Sequence, residues 1–145
     1  GIRDIGVTGV QTCALPISDE SVALEAAEKA AEAAEATEGL VTTFPGGIAS
    51  SGSKAGSSYD FLIAATYAEY CPTLREQLGE RSKVPAGVGS IMEIIMNGRD
   101  LEALQAGTRN AILAAATTPG LNKISAGNYG GRLGKTFIHL REVIA

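Results

Sequence analysis

One carboxylic acid is placed where it could do chemistry. In Met92-Glu93-Ile94-Ile95-Met96-Asn97-Gly98, Glu93 is the lone ionisable side chain of a run that is otherwise nearly all apolar. A carboxyl in such surroundings favours its neutral form. It can then donate a hydrogen bond to a developing oxyanion or shuttle a proton. The other reading is a strand-edge carboxylate that faces solvent or pairs with a basic residue, and the spacing leaves both open.

Two glycine-rich stretches could hold anions. Ser125, Gly127, Asn128 and Tyr129 lie in SAGNYGG, where glycines let a phosphate or carboxylate approach consecutive backbone N–H groups. A plain hairpin with packing glycines would look the same. Ser51, Lys54 and Tyr59 lie in a comparable segment, Phe44 to Leu62. Lys54 could meet a carboxylate, or could simply be solvated. His139 has no Ser or Cys partner in a recognisable motif and reads as structural or exposed. Cys71, before Pro72, has no base to activate it and reads as a packed thiol. Phosphate-loop, dinucleotide, zinc and EF-hand motifs are lacking, so no catalytic metal is expected.

The elements that must position these residues follow from periodicity. Asp19 to Glu38 is rich in Ala and Glu, with Ala23, Ala26, Ala27, Ala30, Ala33 and Ala34 on one helical face and Gly39 as a stop. Leu40 to Phe44 reads as a strand ended by Pro45-Gly46-Gly47, and Ile48 to Ser58 as a loop. Val88 to Asn97 alternates as a strand. Asp100 suits an N-cap, and Leu101, Leu104, Thr108, Ala111, Ile112 and Ala115 make the next helical face. Lys123 to Ala126 and Thr136 to Leu140 read as strands, with Arg141 to Ala145 as a tail.

One further strand before the first helix gives β-α-β-β-α-β. That is an α+β, ferredoxin-like split βαβ sandwich, an antiparallel sheet with two helices on one face. The first strand is expected to be missing or replaced. Residues 1–17, GIRDIGVTGVQTCALPI, show no clear period, and their segments back-translate onto a common short-read sequencing adapter. They are read as a non-native peptide, and 18–145 as the native part. Loss of a central strand would leave backbone unpaired. The chain is therefore expected to be poorly stable, or to use residues near Val7 to Ala14 as a makeshift strand.

The formal net charge of −4 gives no reason to expect nucleic acid or an anionic membrane as partner. No apolar run reaches the roughly 20 residues of a membrane span. The two cysteines, Cys13 and Cys71, form no disulfide framework, which suits a reducing cytoplasm.

Four ordered stretches resemble formylmethanofuran:tetrahydromethanopterin formyltransferase: Phe44 to Leu62, Glu69 to Thr73, Met92 to Gly98 and Lys123 to Lys135. The resemblance covers nearly all of 19–145 and implies the C-terminal, distal lobe. It implies transfer of a formyl group between methanofuran and N5 of tetrahydromethanopterin in one-carbon metabolism, in methanogenesis or bacterial formaldehyde oxidation. Both carriers would be substrates and no prosthetic group would be bound. A homo-oligomer is implied, possible also within a formyltransferase/hydrolase complex. Glu93 matches the family's strand glutamate implicated at the active centre. The fragment alone is expected to be inactive. A competing reading is a non-catalytic ferredoxin-like ligand-binding or assembly module. It would not need Glu93 in a cleft facing the loop at Asn128.

Overall fold

A computed structural model describes residues 20–51, 68–127 and 137–145, together with the backbone course of 6–14. The elements are β1 (Gly6–Ala14), α1 (Glu20–Glu35), β2 (Leu40–Thr42), β3 (Ile48–Ser50), α2 (Arg75–Leu78), β4 (Ser90–Gly98), α3 (Leu101–Ala115), β5 (Leu121–Gly127) and α4 (Leu140–Ile144). They make an α+β arrangement of helices on a mixed-length antiparallel sheet.

The sheet order is β2-β4-β1-β5, and β3 also pairs with β4. All four pairings are antiparallel. The first strand is present: β1 runs between β4 and β5, within the segment where a makeshift strand was expected. Val10 stands opposite Ile94 on one side and Ala126 on the other.

Alternation along β4 assigns its two faces. Met92, Ile94 and Met96 point into the main core with the alanine face of α1 and with Leu104, Ala111 and Ala115 of α3. The α1 face is built almost wholly of alanine: Ala23, Ala26, Ala27, Ala30, Ala31 and Ala34 are buried. Methyl groups let the helix lie close to the sheet and lose no rotamer entropy on burial. Gly107 of α3 serves the same close approach, because a Cβ there would collide with the Leu40 Cδ1 atom. Gly39 does not cap α1, which ends at Glu35; its φ of +79° serves the turn in which the Leu40 N–H donates to Thr37 O.

Asp100 caps α3, its Oδ1 accepting from the Ala103 N–H at 2.8 Å. That backbone hydrogen bond, and then the Arg99 side chain, hold the Asp100 carboxyl below its ordinary value. Leu101, expected on the buried face of α3, is instead half exposed, since the cap leaves the first turn at the edge of the core.

Two expectations are corrected. Ile48 to Ser50 is a strand and not the start of a loop. Pro45 and the positive φ values of Gly46 and Gly47 turn the chain, with the Gly47 N–H donating to Phe44 O at 2.8 Å. The chain then rejoins β4, so β2 and β3 follow one another along its edge: Thr42 pairs Met96 and Ile48 pairs Ile94. The supposed last strand also fails. Phe137 to His139 is irregular and Leu140 opens helix α4, which buries Val143 and receives a bond from Arg109 Nη1 to Val143 O at 3.3 Å. Leu140 and Val143 are three apart, a helical spacing that five residues are too few to announce.

Candidate functional site

The other face of the sheet carries the residues of interest. Ile91, Glu93, Ile95 and Asn97 alternate away from the helices. Ile91 packs with Val84 and Val88 in a second, smaller cluster. Arg75 fixes the approach to that cluster, its Nη2 donating to Pro85 O at 2.8 Å and Val88 O at 2.6 Å. Nothing in its polar sequence run marked Arg75 for this task.

Glu93 is 3% exposed. The alternative of a carboxylate facing solvent is therefore excluded. Its row across the sheet is set by register: Ala49 on β3, Glu93 on β4, Gln11 on β1 and Ser125 on β5. Neighbouring strands lie about 4.8 Å apart, so Ser125 is about 10 Å from Glu93 on the same face. The next row is Ile95, Gly9 and Gly127. Two of its three positions lack a side chain, and a Cβ on Gly127 would meet nothing within 4 Å. The row beside Glu93 is therefore built of one isoleucine and two glycines, the second glycine directly preceding Asn128.

Ser51 joins the same face. Its N–H donates to Ile91 O at 2.9 Å, which carries the β3–β4 ladder one residue beyond Ser50. It is 4% exposed. The structure thus brings Glu93, Ser51, Ser125 and Gly127 to one side of the sheet. Lys54, Tyr59, Asn128 and Tyr129 lie outside the described residues. Sequence reasoning named Ser51 but could not put it on the face of Glu93, because that placement depends on a β3–β4 pairing between segments distant in the chain.

His139 is exposed and lines a hollow with Ala126 and Arg141. Ala126 shares a row with Val10 and Ile94, the helix side, so His139 is not part of the Glu93 face. Cys71 is buried, its Sγ 3.1 Å from Thr73 Oγ1, as a packed thiol should be. Among the described residues no group of His, Cys, Asp and Glu could hold a metal ion, and no helix is long and apolar enough to cross a membrane.

Comparison with known proteins gives consistent matches. A family model described as "FTR, proximal lobe" matches residues 3–143. The match takes in most of 1–17, and its description corrects the lobe from distal to proximal. The formylmethanofuran–tetrahydromethanopterin formyltransferase of Archaeoglobus fulgidus is 48% identical over 122 residues, 83% of this chain and 41% of the relative. The solved formyltransferase of Methanosarcina barkeri superposes with a TM-score of 0.77 at 41% identity, over 93% of this chain and 44% of that one. The formyltransferase/hydrolase complex of Methylorubrum extorquens, solved with methylofuran, gives a TM-score of 0.76 at 35% identity, over 95% and 44%. The chain therefore spans less than half the length of these relatives.

Proposed function

Since the chain belongs to the FTR family, through the part described as its proximal lobe, we propose that the complete protein transfers a formyl group between formylmethanofuran and N5 of tetrahydromethanopterin. The observation that carries this is the seating of Glu93: a buried carboxyl on the sheet face away from α1 and α3, in register with Ser125 and one row from Gly9 and Gly127. Formyl transfer between two amines needs two large substrates held together, an oxyanion stabilised and a proton moved. Glu93 supplies a hydrogen bond to the oxyanion and a path for the proton. Ser51, Lys54, Tyr59, Ser125, Gly127, Asn128 and Tyr129 bind the substrates, the glycine-rich segments taking their phosphate or carboxylates. Both carriers are substrates, and no prosthetic group is required.

The lobe is inactive alone and works in a homo-oligomer in the cytoplasm, or with the subunits of a formyltransferase/hydrolase complex; the likeness to a subunit of such a complex supports the second arrangement. Its strand order supports a ferredoxin-like split βαβ description, with β3 as an addition. Residues 1–17 are adapter-derived and replace a native first strand; the nucleotides of Val7 to Ile17 test this, and codons unlike the adapter's would remove it.

The functional test is Glu93→Gln in the complete enzyme. Turnover falls by at least about 10²-fold, the usual scale of an acid–base contribution. Near-parent turnover would take Glu93 out of the mechanism.

A further inference from the structure

We infer that the Ser51 hydroxyl is a second hydrogen-bond donor to the formyl oxygen as it becomes an oxyanion, acting beside Glu93. The inference rests on the formyl-transfer reading and assigns Ser51 a specific partner within it.

Ser51 follows β3 directly. The bond from its N–H to Ile91 O continues the ladder in which Ala49 faces Glu93 and Ser50 faces Met92. That register puts Ser51 opposite Ile91, hence on the same face as Glu93 and diagonal to it. Diagonal neighbours in an antiparallel pair lie about 7–8 Å apart at the backbone, close enough for a serine and a glutamate to reach one small group between them.

The second observation is the state of the hydroxyl. Ser51 is 4% exposed, and among the described residues its Oγ has no hydrogen-bond partner. A buried hydroxyl without a partner is unfavourable, and such groups in native folds point to something that satisfies them in function. A serine so held is suited to a ligand acceptor.

The formyl oxygen is that acceptor. In the transfer, the amine nitrogen of one carrier attacks the formyl carbon and a new C–N bond forms. The C=O π pair moves onto oxygen, where the donors at Glu93 and Ser51 meet it. The π bond then re-forms, the original C–N bond breaks, and the proton lost by the attacking nitrogen ends on the departing one. Nothing is oxidised or reduced.

The test uses the complete enzyme with Ser51→Ala, measured against Glu93→Gln. Loss of one oxyanion donor lowers kcat by about 10²-fold, with KM for both carriers close to the parent's. Because the hydroxyl has no partner among the described residues, the thermal midpoint stays at or above the parent's. A kcat within about threefold of the parent, or a loss confined to KM, or a midpoint that falls together with activity, overturns the role. If Ser51→Ala stays active while Glu93→Gln is dead, only the Ser51 inference fails. If both variants stay active, the formyl-transfer site itself has been misplaced.

Discussion

The two faces of β4 are built from alternate residues of one strand, yet the one that holds Ile91 and Ile95 also buries a carboxyl. On the helix side, Met92, Ile94 and Met96 meet alanine methyls, and the buried Thr108 hydroxyl is satisfied within α3 by Leu104 O. On the other side, Glu93 and Ser51 are just as well buried but are polar. A face that served only packing would have no use for them, since burying a carboxyl or a lone hydroxyl works against stability. The contrast sets apolar packing on one side of β4 against buried polar groups on the other, at Glu93 of β4 and at Ser51 just beyond β3.

That contrast can be broken by substitutions on either side. The largest expected effect on stability is Met96→Ala, which leaves a hole under α1 and α3 and destabilises by about 2–5 kcal/mol, the range for buried Met to Ala. Chemical denaturation of the complete enzyme measures it, and kcat of the fraction still folded should be unchanged. A loss of kcat in folded Met96→Ala would blur the division between the faces. Glu93→Gln should show the converse, turnover down about 10²-fold with the midpoint of unfolding little moved.

Gly107→Ala comes next. The added methyl meets Leu40 where α3 crosses the start of β2, so either the helix shifts or the leucine leaves its rotamer, at about 1–3 kcal/mol. An unchanged denaturation midpoint would mean that the helix layer is looser than its alanine face implies.

The smallest effect concerns Asp100. Its carboxyl is held below the ordinary value by the Ala103 N–H and by Arg99, so the ionised form is the one the fold favours. Its contribution is therefore complete above the unfolded aspartate value of about 3.9 and fades as pH falls through the lower folded value. The midpoint difference between the parent and Asp100→Ala should shrink as pH is taken from 7 towards about 3. A difference that stayed constant would mean that the cap acts without its charge.

The helix side was the more legible of the two in the sequence. Alanines at helical spacing, Asp100 as a cap and the alternation of β4 are local signals, and each led to an element close to its place. Glu93 was legible too, because a charge among isoleucines and methionines needs no partner to be noticed. What surrounds it was not. Ile48 to Ser50 is three residues long and follows a Pro-Gly-Gly turn, so no period marks it as a strand. Its pairing with β4, and the row that joins Glu93 to Ser125 through Gln11, are long-range registers that appear only once the chain is folded. The lobe's description likewise came from comparison, since nothing in its residues tells proximal from distal.

The position of β1 makes this fold sensitive to counting. With β4 on one flank and β5 on the other, every residue of β1 is indexed against two neighbours at once. A one-residue slip of β1 would change every one of these pairings at once. It would also dissolve the row joining Glu93 to Ser125, without touching either.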